Sequence, residues 1–213
     1  MRLVALATLA LLGSVPVASQ NQRLRLQVFG VQSTNQELDS TRNAIGPGVG
    51  GSAEFRFGRF AVEMSGYRAE LEPDDSTLTA YTLQQGDLRV FIRVLNADQG
   101  TDLAVLIGGG GRKMDPDLAA VDVGVIRVGV RARAPLTRLA ELGIRGAYLA
   151  PRFSGGGESS FAFEVGLELG IGTRNGRFRF QAGFDFQRLD RTVGDLNAPV
   201  QLTTSRAGVQ VAL

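Results

Sequence analysis

The chain has 213 residues, of which 44% are hydrophobic and 21% charged, and its 23 basic residues nearly balance its 21 acidic ones. It has no cysteine, which excludes a disulfide scaffold and lipid attachment through an N-terminal cysteine. It has no histidine, which excludes Ser–His and metal–His sites. The small net charge argues against nucleic acid as a partner, because proteins that bind it carry basic patches.

The first residues are typical of a secretory signal peptide. Arg2 supplies a positive charge, the apolar run Leu3–Leu12 follows, and small residues stand at Val17 and Ser19. The run is too short to span a membrane as a helix. We expect residues 1–19 to be removed and residues 20–213 to form one domain. The alternative is an apolar N-terminal helix of the folded domain.

Ten later segments alternate apolar and polar residues with a period of two, as strands do. The clearest is Arg177–Gln187, in which four phenylalanines and Ala182 take one face and polar residues or glycine take the other. The predicted strands are Arg23–Gln32, Val49–Phe57, Phe60–Leu71, Tyr81–Val94, Asp102–Gly111, Ala119–Arg133, Leu142–Arg152, Ser160–Gly172, Arg177–Gln187 and Thr204–Leu213. Eight strands is the alternative count.

The connections alternate between short and long. Gly58-Arg59 predicts a tight turn, Asn175-Gly176 is a strong hairpin signal, and the polar stretch Ser33–Ile45 predicts a long loop. A second long polar connection is expected at Asp190–Pro199. Pro135–Glu141 is an exception, where we expect a short helical turn.

Two local features of the strands are unusual. The apolar phase changes at Val125-Ile126, which suggests a β-bulge. Four glycines, Gly108–Gly111, close the fifth predicted strand. No Gly-Lys-Ser/Thr follows them, so they do not form a phosphate loop. We expect small residues at a strand end that ease close packing or curvature.

Permanent charges lie deep inside these strands, opposite apolar faces that run for about ten residues, roughly the length that crosses a bilayer on a tilt. A closed barrel satisfies every backbone hydrogen bond in lipid. The sequence therefore predicts an all-β fold, a single antiparallel transmembrane β-barrel. The alternative is a soluble periplasmic lipocalin-like barrel that holds an apolar ligand.

The chain resembles the small bacterial outer-membrane β-barrel proteins, which include porin-like and membrane-anchor barrels. The resemblance is one of pattern and covers about Arg23–Leu213. It includes the C-terminal alternation of Ala207, Val209, Val211 and Leu213, similar to the signal such proteins offer to the outer-membrane assembly machinery. The family usually ends in phenylalanine, whereas this chain ends in leucine. The resemblance implies the bacterial outer membrane as location, with its lipid and assembly machinery as partners.

The inward face of such a barrel would carry a charge network. A two-residue turn at Gly58-Arg59 places Glu54 opposite Glu63, which is unfavourable unless cations such as Arg56 or Arg89 neutralise the pair. The pair is either a carboxylate site with one raised pKa or a cation site, or part of an arginine–glutamate lattice that fills a narrow lumen, which we favour. The predicted network comprises Glu54, Arg56, Glu63, Asp87, Arg89, Arg93, Arg131, Arg145, Glu164, Glu168, Arg179 and Asp185.

The sequence indicates no catalytic residue, cofactor or metal site. Outer-membrane proteases, phospholipases and lipid-A-modifying enzymes of the resembled family use histidine, which this chain lacks. We expect a non-enzymatic barrel with a largely plugged lumen and a structural or surface-interaction role. The alternative is a narrow passive pore for small solutes.

Overall fold

The computed structural model describes residues 23–37, 42–75, 77–95, 101–116, 122–154, 158–159, 161–172, 177–193 and 195–213. The predicted signal peptide and the predicted Asn175-Gly176 turn lie outside the described residues. Within these ranges every regular element is a β-strand. No helix in the described part of the chain is long and apolar enough to cross a membrane.

Ten antiparallel strands form a closed barrel, which confirms the predicted fold class and strand count. Each strand pairs with its neighbours in sequence, and the last barrel strand pairs with the first. The strands are β1 (Arg23–Glu37), β2 (Arg42–Phe57), β3 (Phe60–Pro73), β4 (Tyr81–Leu95), β5 (Asp102–Asp115), β6 (Val123–Pro135), β7 (Ala140–Phe153), β8 (Ala162–Ile171), β9 (Phe178–Leu189) and β12 (Val200–Ala212). A two-stranded hairpin of β10 (Thr192–Val193) and β11 (Leu196–Asn197) lies within the predicted Asp190–Pro199 loop.

The β2–β3 hairpin has the predicted register. Its two-residue turn, Gly58-Arg59, places Glu54 opposite Glu63. Gly58 has a φ of 54°, a left-handed conformation that glycine adopts without strain. We call the end of the barrel that holds this turn the turn end, and the opposite end the loop end.

The predicted long loop at Ser33–Ile45 is wrong. β1 continues to Glu37 and β2 begins at Arg42, and the two remain paired, for example at Asn35 and Ala44. The stretch is polar on its inward face too, where buried Ser33 and Asn35 contact the hydroxyl groups of Thr204 and Tyr81. Polar side chains do not end a strand, because the backbone ladder continues wherever the neighbouring strand also continues. The expected helical turn at Pro135–Glu141 is also wrong, since both of these residues belong to strands and pair with each other.

No bulge lies at Val125-Ile126. β6 pairs without interruption with both neighbours through this point, and the register shift of β4–β5 lies between Arg93 and Leu95. The apolar phase changes because Val123 and Val125 face the interior, whereas Ile126 and the following even-numbered residues face outward. The strand is regular, and its surroundings change along its length.

The outer wall carries a wide apolar belt. We define it by outward-facing side chains that are all more than a third exposed: Val28, Val49, Phe57, Phe60, Met64, Leu88, Ile92, Val94, Val105, Ile107, Ile126, Val128, Val130, Ile144, Tyr148, Val165, Leu167, Ile171, Phe178, Phe180, Phe184 and Val209. Water would not stabilise so large and continuous an apolar surface, because monomeric soluble proteins rarely expose patches of more than a few hundred Å².

Toward the loop end the pattern inverts. On β3, Arg68, Glu70 and Glu72 face outward, while Ala69 and Leu71 are buried inside. Other strands repeat this arrangement, and their inward side chains form an apolar layer, the loop-end core: Leu71, Tyr81, Leu83, Met114, Val123, Val125, Leu149, Ala162, Leu189, Val200 and Leu202. This part of the wall has the pattern of a protein in water, with polar residues outside and apolar residues inside.

Candidate functional site

A closed ring of alternating arginines and carboxylates occupies the lumen inside the apolar belt. Eight of the barrel strands contribute to it, and only β1 and β5 do not. In order around the ring the residues are Glu54, Arg131, Glu63, Arg89, Glu164, Arg145, Asp185, Arg206, Glu168 and Arg133, which returns to Glu54. The ring balances five positive charges with five negative ones.

Several ion pairs of the ring reach across the lumen. Arg131 Nη1 on β6 lies 3.1 Å from Glu54 Oε2 on β2, and three strands separate β6 from β2 along the wall. Arg89 Nη2 on β4 lies 3.5 Å from Glu164 Oε1 on β8, again with three strands between them. These contacts tie opposite walls of the barrel together.

Glu164 is the most connected carboxylate at the centre of the barrel. Its side chain is 1% exposed. It accepts a hydrogen bond of 3.0 Å from Arg145 Nε and one of 2.8 Å from Gln187 Nε2, and it also pairs with Arg89 and Arg127. A buried charge is stable only when ion pairs and hydrogen bonds replace its water, and Glu164 has both.

Ten of the twelve predicted network residues lie in or directly on this ring. Asp87 joins it through Arg89, at 3.1 Å, and Arg56 joins it through Glu54. Arg93 does not, because it lies near the turn end and donates a hydrogen bond to the Gly58 carbonyl. Arg179 is also separate, with its Nη1 3.6 Å from Glu141 Oε1.

Four further members of the network were not predicted from the sequence. Arg127 Nη1 lies 2.6 Å from Asp87 Oδ1, Arg133 and Arg206 close the ring, and Gln187 bonds Glu164. Their phase in the sequence was sufficient to find them. Arg127 and Arg133 share the inward phase of Arg131 on β6, and Gln187 shares that of Asp185 on β9.

The glycine run Gly108–Gly111 lies inside β5, which continues to Asp115, so its predicted position at a strand end is wrong. Gly108 and Gly110 face the lumen, where no side chain could be added. A Cβ on Gly110 would overlap Asp87 Oδ1 and would lie 2.5 Å from the Gly86 carbonyl oxygen. The bare backbone of β5 therefore provides the space for Asp87 and its arginine partners.

Neighbouring glycines of this run offer a matched pair of substitutions. We expect Gly110→Ala to lower the free energy of unfolding by about 1–3 kcal/mol, because the added methyl group overpacks the lumen. Gly111→Ala faces outward, where its Cβ would lie 3.5 Å from the nearest atom, an ordinary contact. Urea unfolding of both variants in lipid vesicles checks the difference; equal effects would contradict the packing argument.

Two solved structures share this architecture over nearly their whole length. One is the outer membrane protease OmpT from Escherichia coli, with a TM-score of 0.54, 10% identity, and coverage of 94% of this chain and 99% of that one. The other is an outer membrane channel from Pseudomonas putida F1, with a TM-score of 0.52, 8% identity, and coverage of 94% and 98%. The chain has the fold of the outer-membrane β-barrels. No protein-family model and no curated protein sequence matches it.

The interior of this outer-membrane-type barrel is nearly filled. Tyr67, Gln85 and Thr204, together with the ring member Arg206, help to line a cavity of about 30 Å³. This volume suits about two water molecules, since one occupies roughly 10–15 Å³ by this measure. Among the described residues, no group of three or more Asp or Glu side chains is arranged to hold a metal ion.

Proposed function

We propose that this protein is a bacterial outer-membrane barrel with a closed lumen and a structural or surface-interaction role. The apolar belt supports insertion into lipid, because a transmembrane barrel turns its apolar side chains outward and its polar ones inward. Between the belt and the loop end, the outward residues include charged ones such as Arg68, Glu70 and Lys113, as expected where the wall contacts water or lipid headgroups. The fold of the two structural neighbours is consistent with this placement.

The observation that carries the proposal is the double closure of the lumen. Ion pairs such as Arg131–Glu54 connect opposite walls in the middle of the barrel. The loop-end core fills the interior above them, with Leu71, Leu83 and Leu149 fully buried. A solute that passed through would have to break charge-paired contacts and then enter an apolar layer, and both steps are costly. Such a barrel is suited to stiffening the outer membrane or serving as an anchor in it, or to presenting its loop end at the cell surface.

We further propose that the protein is not an enzyme. One structural neighbour is a protease, but at 10% identity the likeness concerns the fold. This chain has neither histidine nor cysteine, so its carboxylates have no such partner to activate. The central carboxylates are each bonded to arginines, which holds them as structural anions.

Fractionation of cells that express the whole chain tests the location. We expect the native protein in the outer-membrane fraction, extracted by detergent, with a gel mobility that changes on heating. Recovery in the soluble periplasmic fraction would contradict the proposal and would favour the lipocalin-like alternative.

Planar-bilayer recording separates a closed barrel from a narrow pore. We expect the purified barrel to produce no steady current steps, and Glu63→Ala to produce none either. That substitution removes a partner of Arg89 at 2.9 Å, so the unfolding temperature should fall. A stable current in the wild type that Glu63→Ala alters would instead make the charges channel-lining.

A further inference from the structure

The outer wall of the barrel changes in three steps along β3, β4 and β5. Met64 and Leu88 form the edge of the apolar belt, and a row of outward-facing residues without side chains follows. This glycine row pairs directly across five neighbouring strands and consists of Gly51, Gly66, Gly86, Gly111 and Gly124. Next comes a cationic row, in which Arg68, Gln84 and Lys113 face outward and pair across three strands. An apolar, a bare and a charged zone therefore succeed one another toward the loop end.

The glycine row leaves a groove in this face of the barrel. The groove has a volume of about 510 Å³ and is lined by residues 67–68, 84–86 and 111–113. These lining residues all belong to the adjacent strands β3, β4 and β5, so the groove lies against the outer wall and not across the lumen. A Cβ built on Gly86 would have no atom within 4 Å, so the floor of the groove is open to whatever surrounds the barrel.

The rim of the groove toward the loop end is positively charged. Arg68 and Lys113 are exposed there, and neither forms an ion pair with another residue in the part of the chain that the structure describes. Arg68 donates a hydrogen bond of 3.5 Å to the hydroxyl group of Thr82. The nearest outward carboxylates of these strands, Glu70 and Asp115, lie one row farther from the belt, on either side of Thr82. The cations are therefore the charged groups that adjoin the groove.

We propose that this groove binds the headgroup of an anionic membrane lipid, with the lipid phosphate between Arg68 and Lys113. The proposal rests on the proposed function, because only a belt that lies in the hydrocarbon layer places the cationic row at the level of the headgroups. Arginine and lysine form strong charge-assisted hydrogen bonds with phosphate oxygens, and the Gln84 amide between them is a further donor.

The position of the groove favours a lipid over other occupants. A lipid bound there would have its phosphate at the cationic row and its acyl chains along Met64 and Leu88, so both of its parts would meet matching surfaces. The bare glycine row would leave room for the part of the headgroup that joins them. A second copy fits less well, because two barrels that met through this face in one membrane would oppose their cationic rows, and like charges repel.

Native mass spectrometry of the folded protein in dodecyl maltoside tests the site, with phosphatidylglycerol and phosphatidylcholine of equal chain length as competing probes. We expect the wild type to retain phosphatidylglycerol in preference. Arg68→Gln/Lys113→Gln should lower this preference about tenfold, since each cation near an anionic lipid surface strengthens binding severalfold. The control, Arg59→Gln/Arg188→Gln, removes the same charge from the turn end and from β9, where Arg188 is 41% exposed, and should keep the preference.

Gly86→Leu separates a shaped groove from a diffuse effect of charge. Leucine would fill the floor of the groove and leave both cations in place, so we expect the preference to fall as it does in the double variant. Heat-modifiable gel mobility shows that each variant is folded.

The outcomes distinguish this proposal from the proposed function. A protein that enters the outer membrane but has no preference, or keeps it in Arg68→Gln/Lys113→Gln or in Gly86→Leu, would overturn the lipid site alone. Loss of the preference in the control would do the same. A dimer that Gly86→Leu abolishes would assign the groove to a second copy instead. Recovery of the protein outside the membrane would overturn both proposals.

Discussion

Substitution of Glu164 by glutamine is expected to lower the free energy of unfolding by about 3–5 kcal/mol, the usual cost of removing one partner from a buried ion pair. Glutamine preserves the shape of the side chain and can still bond Gln187. It removes the negative charge that Arg89, Arg127 and Arg145 share at distances of 3.5, 3.7 and 3.0 Å. The cost arises because three buried cations then share too few anions.

The measurement is urea unfolding in lipid vesicles, followed by far-ultraviolet circular dichroism and by gel mobility, since the chain has no tryptophan for fluorescence. Glu70→Gln is the control, because Glu70 is exposed on the outer wall beyond the belt. It should change the free energy of unfolding by no more than about 0.5 kcal/mol. If both substitutions had equally small effects, the ring would not be a stabilising structure.

The ring also couples substitutions that lie on different strands of the barrel. Because its members alternate in sign, each carboxylate is held by at least two arginines, as Glu168 is by Arg133 and Arg206. Loss of one member therefore affects contacts on several strands. Effects of two substitutions within the ring should not be additive, whereas one in the ring and one on the outer wall should be.

The barrel wall could be predicted from the sequence because a strand alternates its side chains whatever surrounds it. The alternation in β9 between phenylalanines and polar residues shows in one short segment which face is apolar. The hairpin register at Glu54 and Glu63 followed from the length of its turn. Both features depend on neighbours in the sequence.

The change of surroundings along each strand was harder to predict. On β6 the apolar residues move from outward to inward positions between Ile126 and Val125, a change that in the sequence alone resembles a bulge. On β4 the same change separates Leu88 from Leu83. A change of apolar phase at a similar height on several strands indicates where the apolar belt ends, because a bulge would affect one strand alone.

The pairing of Arg56 with Glu54 and of Arg89 with Glu63 agrees with the prediction that these cations neutralise the two carboxylates, whereas the partners across the lumen could not be predicted. A sequence gives the strand on which an arginine lies and the face toward which its side chain points. It does not give the partner, because long side chains cross the lumen. Arg131 contacts Glu54 on the far wall as well as aromatic Phe91, whose ring centre is 3.5 Å from its guanidinium carbon. Such contacts depend on the diameter of the closed barrel, which only the complete strand order and register determine.

Placement of an arginine on the outer wall tests the orientation on which all these arguments depend. Val130 lies in the middle of the belt on β6 and is 53% exposed, between Val105 on β5 and Gly146 on β7. If lipid surrounds the belt, Val130→Arg should lower the free energy of unfolding in vesicles by about 2–4 kcal/mol, the cost of arginine on the lipid face near the bilayer midplane.

The same substitution beyond the belt should have little effect. Gln84 faces outward on β4, next to Arg68 on β3 and Lys113 on β5, where the wall is already polar. We expect Gln84→Arg to change the free energy of unfolding by at most about 1 kcal/mol, since the cost of arginine falls toward the membrane interface. A large cost at Val130 with a small cost at Gln84 would place the bilayer around the belt. If Val130→Arg were neutral and the protein became more soluble in water, the belt would not face lipid.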